Sequence, residues 1–422
     1  MTAHVDTLAL LGGTPVRTTA WPRWPERGAP ERAALARVLD GEQWGGFPSP
    51  GPEAHAFSGE LAAYLGTDYV VPCVNGTWSL TLALLAARVP RGSEVITTAY
   101  SFVGTAAGIV AAGCTPVFVD VCADSYCLDP DQVEAVITER TSAVMPVHLG
   151  CAMADMDRLT EICGRRGLVL IEDCAHAHGM RWRDRAAGTI GDLGSFSMQT
   201  TKLLTAGEGG VVTTRDARLE GRLQALVNCG RRETPRSEST EAVLGYNLRM
   251  TEWQAALLRA QLERLPEQHA RRAQSVARIS AGLGEIQGFA MPPLDPRITH
   301  RTYYQLILRY DAEALRGVPR DRVVAALEAE GVPCSGRFYV PIPDDALYAW
   351  DACTNPLVER GVAAPPAGRF PIAARAAYDE SLWLPHELLL GGDRETDDLL
   401  AALAKVAAGA AQLASADLDG EE

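Results

Sequence analysis

Short apolar runs alternate with helical stretches through roughly the first half of the chain. The runs that the pattern predicts as strands are residues 69–73, 94–98, 116–120, 143–147, 168–173, 195–198 and 210–214. The stretches that it predicts as helices are residues 78–88, 103–112 and 155–166. Continuous apolar strands separated by helices are typical of a mostly parallel sheet covered on both faces. Ligands of such α/β sheets bind in the loops beyond the strand ends.

The pattern changes at Thr251, where a helical stretch of about thirty residues begins. Thr251 and Gln254 have the spacing of a capping box, which marks a helix start. A smaller α/β region is expected after it, with a strand at 303–308 and a helix at 320–330. The predicted organisation is an N-terminal arm (1–30), a large domain (31–260), a small C-terminal domain (261–415) and an acidic tail (416–422).

Composition describes a soluble globular protein with a net charge of −14, which argues against nucleic acid or an anionic membrane as partner. The longest apolar run, residues 103–119, is interrupted by glycine and proline and does not resemble a membrane span. No signal peptide is visible, and no Cys-x-x-Cys pair occurs among the ten cysteines. A reducing, cytoplasmic setting is expected, with no metal site.

Lysine is scarce in this chain. Of the 39 lysine and arginine residues, Lys202 and Lys405 are the two lysines, so 37 are arginine. A primary amine condenses with an aldehyde to a Schiff base, which a guanidinium does not do. Lys202 lies between an apolar strand and a Gly-rich stretch, which favours a chemical role. The alternative is codon bias, with Lys202 a surface residue.

Two further motifs follow predicted strands. Asn75-Gly76-Thr77 opens a helix, where backbone N–H groups either bind an anion or are simply capped. Residues 171–178 end a strand with Glu172, Asp173, His176 and His178. Asp173 with the two histidines is an incomplete ligand set for a metal, and a strand-end carboxylate with solvent-facing histidines is the simpler alternative. We favour Asp173 as the partner of a protonated heterocyclic nitrogen.

These features converge on one cofactor, pyridoxal 5'-phosphate. It requires an amine for its aldehyde, a carboxylate for its pyridine nitrogen and a helix start for its phosphate. Phe102, in the loop after the second strand, could stack on a planar ring, although an aromatic residue there is more often core. A nicotinamide-dependent dehydrogenase is disfavoured, because no Gly-x-Gly-x-x-Gly motif is present. A cofactor-binding scaffold without turnover is a third alternative.

The chain resembles the sugar and cyclitol aminotransferases of the DegT/DnrJ/EryC1/StrS type, which are fold-type I pyridoxal phosphate enzymes. The resemblance rests on four motifs in family order: residues 75–77, 172–179, 195–210 and 246–256. It implies a large domain with a seven-stranded-type, mostly parallel sheet and a smaller α/β domain. It also implies a homodimer with shared active sites.

The resemblance implies roles for individual residues. Lys202 would be the Schiff-base and catalytic lysine, and Asp173 the partner of the pyridine nitrogen. The other implied cofactor-binding positions are Gly76, Thr77, Trp78, Phe102, His176, Ser197 and Asn247, with Asn247 reaching the phosphate of the neighbouring subunit. Arg231, Arg232, Arg337 and Tyr339 are candidate substrate-side groups, and for each a solvated surface role is an alternative.

The sequence does not decide which ketone accepts the amino group. The run 198–210 and the opening Leu-Gly-Gly-Thr-Pro-Val-Arg most resemble glutamine-dependent scyllo-inosose and 2-deoxy-scyllo-inosose aminotransferases of aminoglycoside pathways. Residues 145–148 and 153–157 also resemble 3-amino-5-hydroxybenzoate synthases, which use the same cofactor for dehydration and aromatisation. Aminotransferases of keto nucleotide sugars share every cofactor motif.

Overall fold

The protein is built on a seven-stranded, mostly parallel sheet, as the pattern predicts. The structure is a computed structural model that describes residues 6–231, 242–348, 350–351, 355–366 and 368–416. Its strands are β1 (Tyr69–Cys73), β2 (Glu94–Thr98), β3 (Thr115–Val119), β4 (Thr141–Met145), β5 (Val169–Asp173), β6 (Arg181–Trp182), β7 (Arg185–Ala186), β8 (Leu193–Ser197), β9 (Gly210–Thr214), β10 (Phe289–Ala290), β11 (Ile298–His300), β12 (Gln305–Tyr310) and β13 (Ser381–Pro385).

The large sheet has the order β1-β9-β8-β5-β4-β2-β3. Every neighbouring pair from β3 to β8 is parallel, and β9 runs antiparallel to both β8 and β1. The carboxyl ends of β5 and β8 therefore lie side by side at one edge of the sheet. This edge brings Asp173 and the residues after Ser197 together.

Helices cover both faces of the sheet. They are α1 (Ala29–Asp40), α2 (Pro52–Leu65), α3 (Gly76–Ala86), α4 (Gly104–Ala111), α5 (Pro130–Val136), α6 (Met156–Arg166), α7 (Ala217–Val227), α8 (Glu252–Leu283), α9 (Arg320–Ala329), α10 (Pro356–Glu359), α11 (Pro371–Arg375), α12 (Asp393–Ala408) and α13 (Ala410–Ser415). Successive strand residues enter opposite cores: Leu170 belongs to the core that includes residues of α2 and α6, whereas Ile171 belongs to the core that includes residues of α3 and α7. Since strand side chains alternate between faces, both faces of the sheet are buried.

Most predicted elements exist, with ends that differ by one to a few residues. The helix predicted from residue 78 begins at Gly76, because the Asn75 side chain accepts a hydrogen bond from the Trp78 amide at 2.9 Å and sets the first turn. The capping box of Thr251 and Gln254 is confirmed at the start of α8.

A second, three-stranded sheet (β10-β12-β13) packs with α9 and α12 around a separate apolar core. The predicted boundary between residues 260 and 261 falls within α8, which runs from Glu252 to Leu283. Strand β11 pairs back with β6 of the preceding region. The division of the chain into domains stays a prediction.

The N-terminal segment packs against the C-terminal part of the chain. Leu8 lies in the second core, and the buried Arg17 forms ion pairs with Glu395 and Asp398. Of the predicted acidic tail, residues 417–422 lie outside the described residues. Within the ranges given above, no helix combines the length and apolar character needed to cross a bilayer.

We predict that Gly194→Ala in β8 lowers the free energy of unfolding by about 1–3 kcal/mol, because its methyl group would overlap backbone atoms of Gly188. Gly164→Ala in α6 is the matched control, since no atom lies within 4 Å of the added carbon. The control is expected to stabilise by about 0.5–1 kcal/mol through helix propensity. Urea denaturation measures both, and equal midpoints for the two variants would contradict the close approach.

Candidate active site

Lys202 lies in the loop that joins β8 to β9, a segment with neither helix nor strand. The side chain is buried, and its Nζ lies 4.2 Å from the ring centroid of Tyr304. Burial lowers the pKa of this amine from 10.5 to about 7, and the negative charge of Asp173 partly opposes the shift. A large share of Lys202 is therefore a neutral, nucleophilic amine near neutral pH.

Asp173 is the last residue of β5 and is buried. Its Oδ2 accepts a hydrogen bond from the Thr105 hydroxyl at 2.9 Å, and its Oδ1 accepts one from the Ala175 amide at 3.2 Å. Burial raises the pKa of this carboxyl, while the two hydrogen bonds and the charge of Lys202 lower it. The arrangement suits a cationic partner that would restore the charge balance.

A close approach between α3 and β8 forms a cradle beside the lysine loop. An added Cβ on Gly76 would lie 2.5 Å from Cβ of Ser197, so the first turn of α3 comes directly against the strand end. The first amides of a helix have no intrahelical acceptor, and those of Gly76 and Thr77 belong to this set. The positive end of the helix dipole adds to them, so the cradle suits an anion.

His176 lies between two tyrosine rings. It stacks on Tyr304 at a centroid distance of 4.1 Å and lies parallel to Tyr339 at 5.9 Å. Its Nδ1 accepts from the Gly150 amide at 3.2 Å, which leaves the proton of the neutral ring on Nε2, 3.1 Å from the Tyr339 hydroxyl. Burial and the charge of Lys202 hold the pKa of His176 well below its usual range.

Glu172 belongs to a buried network behind the site. Its oxygens lie within hydrogen-bond distance of His148 Nε2 (3.0 Å) and accept from the amides of Gly188 (3.0 Å), Ile190 (2.7 Å) and Gly191 (2.8 Å). Cys174, His148 and Glu172 have ligand atoms within 4.8 Å of one another. Because Glu172 already has these four hydrogen-bond partners, structural hydrogen bonding accounts for the clustering of Cys174, His148 and Glu172. His178 instead contacts the Ser197 carbonyl through Nε2 at 3.0 Å, and burial lowers its pKa to about 3.

The other predicted positions are distributed around this centre. Phe102 is 51 % exposed, with its ring 6.4 Å from that of Tyr339, and the ring of Trp78 lies 5.7 Å from that of Tyr246. Asn247 is exposed in the single chain. Tyr339 is brought to the site through its contact with His176.

The candidate substrate arginines lie elsewhere. Arg231 places its guanidinium 5.0 Å from the ring of Phe47. Arg337 pairs with Asp321 at 2.7 Å and lies over the ring of Tyr378 at 5.6 Å. Arg232 lies outside the described residues. The substrate roles of these arginines stay predictions.

Sequence reasoning missed three groups that hold the lysine loop. Tyr304 lies under Lys202 and contacts the Thr201 hydroxyl at 2.8 Å. His386 and Trp24 contact the carbonyls of Thr201 and Thr200. No local spacing signals these contacts, because the partners are separated by 103, 185 and 176 positions in the chain.

Residues 26–397 match the DegT/DnrJ/EryC1/StrS aminotransferase family. The match spans most of the chain, and the chain belongs to this family. It is therefore an aminotransferase, and the mostly parallel sheet and the buried lysine in the loop after β8 are consistent with that class.

Individual relatives can be named. A protein of Micromonospora echinospora named "Putative L-glutamine:3-amino-2,3-dideoxy-scyllo-inosose aminotransferase" is 43% identical, over 94% of this chain and 96% of that protein. The L-glutamine:2-deoxy-scyllo-inosose aminotransferase of Streptomyces fradiae is 39% identical, over 97% of this chain and 100% of that protein. The crystal structure of 3-amino-5-hydroxybenzoic acid synthase superimposes with a TM-score of 0.78 at 33% identity, over 94% of this chain and 100% of that one.

Because the chain has two lysines, the titration of the Lys202 amine can be followed directly by chemical modification. We predict that trace acetylation, followed by mass spectrometry as a function of pH, gives Lys202 a titration midpoint near 7, with Lys405 in the same digest as reference for reagent activity. Asp173→Asn is expected to lower that midpoint further, because it removes the charge that favours the ammonium form. An unchanged or higher midpoint in Asp173→Asn would contradict the coupling of the two groups.

Proposed function

We propose that this chain is a pyridoxal 5'-phosphate-dependent aminotransferase that moves the amino group of L-glutamine to a keto-cyclitol of the inosose class. The observation that carries the chemistry is a buried lysine amine lying over Tyr304, with the buried carboxylate of Asp173 at the end of the neighbouring strand β5. Burial lowers the pKa of that amine, in keeping with a nucleophilic role. The observation that supports the substrate is the pair of glutamine:inosose aminotransferases at 39% and 43% identity over nearly the full chain.

The residues present fit this cofactor. Gly76, Thr77 and Ser197 would hold its phosphate, because the missing side chain of Gly76 lets the unpaired amides at the start of α3 lie directly against Ser197. Asp173, buried and with few donors, would hold the proton of its ring nitrogen. Phe102 has an exposed ring that could stack on the cofactor, and His176 would lie beside it.

When bound, pyridoxal phosphate supplies an aldehyde that bonds to amines and a ring that accepts electrons from the substrate carbon. The chain's own residues supply proton handling. The neutral amine of Lys202 would act as the proton carrier, taking the α-proton of the bound amino acid and later giving a proton back. Asp173 would keep the ring cationic, and the neutral His176 and Tyr339 surround the site without adding charge.

The names of the two relatives narrow the choice of acceptor ketone. The more similar of the two carries in its name an inosose that already bears an amino group, and the other a 2-deoxy-inosose without one. We therefore propose scyllo-inosose, its 2-deoxy form and the 3-amino-2,3-dideoxy form as the acceptors to compare, as in aminoglycoside-type biosynthesis. Dehydration and aromatisation to an aminohydroxybenzoate is the second candidate, favoured by the similarity to the synthase structure.

A half-reaction screen tests the proposal. We expect glutamine to convert the bound cofactor to its amine form, with the accompanying absorbance change, and an inosose to reverse it faster than a keto nucleotide sugar. Lys202→Arg is the control and is expected to lose at least about 10³-fold in turnover, because a guanidinium cannot replace the amine. Reversal by nucleotide sugars alone, or aromatic product formation without transamination, would contradict the proposed acceptor.

We propose a homodimer with shared active sites as part of this function. Exposed large apolar side chains support the dimer. Five of them are more than a third exposed: Trp44, Phe47, Phe102, Leu244 and Tyr246. Asn247 follows directly after Tyr246 and would reach the phosphate of the partner chain.

Subunit mixing tests site sharing. Lys202→Ala and Asn247→Ala are each expected to be inactive alone, and their mixture to regain about a quarter of wild-type activity by random pairing, because one site per heterodimer is intact. Trp253→Phe, at a ring that lies 5.7 Å from that of Trp44, serves as a folding control. A mixture that stays inactive after demonstrated subunit exchange would contradict the shared site.

A reducing, cytoplasmic compartment is also part of this proposal. Nine cysteines in the described residues are free thiols, and several of them are buried in the apolar cores. Free buried thiols of this kind are typical of proteins from reducing compartments.

A further inference from the structure

The backbone immediately before Lys202 is held by side chains from distant parts of the chain. Trp24 donates its indole N–H to the Thr200 carbonyl at 2.9 Å. His386 lies 3.0 Å through Nε2 from the Thr201 carbonyl. Residues 198–209 form neither helix nor strand, and these two bonds add to turn bonds such as that from the Lys202 amide to the Gln199 carbonyl at 2.8 Å.

The tautomer of His386 follows from its other partner. Arg272 Nη2 lies 3.1 Å from His386 Nδ1, and a guanidinium only donates, so Nδ1 must accept. The proton of the neutral ring is then on Nε2, which donates to the Thr201 carbonyl. Burial and the charge of Arg272 hold the pKa of His386 well below its usual range, so the ring stays neutral.

Arg272 is an unusual residue for this place. It lies on α8 and is fully buried, and within the described residues its hydrogen bond to His386 is the only one it makes, since Nε and Nη1 have no partner there. Its guanidinium lies 5.3 Å from the ring of Trp24, and Trp24 meets His386 edge-on at 4.5 Å. A buried cation with one hydrogen bond is costly for stability, which points to a role of that bond.

We propose that Trp24, Arg272 and His386 act together as positioning residues for Lys202. They fix the two peptide carbonyls before it, and so hold the amine over Tyr304 and toward Asp173. We call these three residues the lysine clamp. The inference deepens the proposed function by assigning residues to the placement of its lysine, but its test uses no cofactor and no substrate.

The test is the pH profile of Lys202 acetylation in the full-length chain stripped of small molecules. His386→Leu removes both bonds, and we expect the Lys202 midpoint to rise by about one pH unit, because an amine that reaches water regains its hydration. His386→Gln is the rescue variant, since its amide can accept from Arg272 and donate to Thr201. It should keep the wild-type midpoint.

Two further variants separate positioning from stability. Trp24→Phe keeps an aromatic side chain but has no N–H to donate, so it should fold and shift the midpoint in the same direction as His386→Leu. Ser275→Ala, one turn along α8, removes a 2.9 Å bond to the Leu389 carbonyl without touching the clamp, and should lower stability while leaving the midpoint unchanged.

The outcomes decide the proposal. A raised midpoint in His386→Leu and Trp24→Phe, with His386→Gln near wild type, supports it. If His386→Leu does not fold, the shift in Trp24→Phe decides alone. Wild-type midpoints in the folded clamp variants, or an equal shift in Ser275→Ala, would overturn it. Failure of the aminotransferase half-reaction leaves this readout unaffected, so the two proposals fail separately.

Discussion

The structure depends on one constraint, the burial of an ionisable amine at the edge of a parallel sheet. Taking Lys202 out of water disfavours its charged form, and Asp173 offsets that effect only in part. The groups around the pair are kept neutral by the same burial, with the pKa of His176 lowered and that of Tyr339 raised. Burial in a low-dielectric environment lowers stability. It also favours the neutral, nucleophilic form of the lysine amine near neutral pH.

The fold meets this constraint by bringing groups from several separate elements to the same edge of the sheet. Parallel strands bring the ends of β5 and β8 together, and glycine at position 76 lets the start of α3 come against Ser197. The second region adds Tyr304 under the lysine and Tyr339 against His176. A carboxylate, an anion cradle and an amine thus meet at one edge, each from a different element. This is the usual location of ligand sites in α/β sheets.

Family membership and geometry carry different parts of the functional conclusion. Membership in the aminotransferase family rests on a match over residues 26–397. The local chemistry rests on the lysine, the carboxylate and the cradle. The acceptor is a proposal that rests on the names of similar proteins. The lysine clamp concerns a separate question, how a loop without regular structure holds a reactive side chain still.

The sequence alone determined the alternation of strands and helices and the capping box at Thr251, and it singled out Lys202, Asp173 and Gly76, whose roles stay predictions. These follow from local periodicity, from short motifs and from the scarcity of one residue type. It did not determine all element ends, such as those of β12, which is predicted at 303–308 and found at Gln305–Tyr310. Only the tertiary structure decided the contacts of Tyr304, His386 and Trp24 with the lysine loop, and the ion pair that holds Arg337 at Asp321. The physical reason is that these contacts join residues more than a hundred positions apart, or depend on which neighbour folding brings near, and no local pattern encodes either.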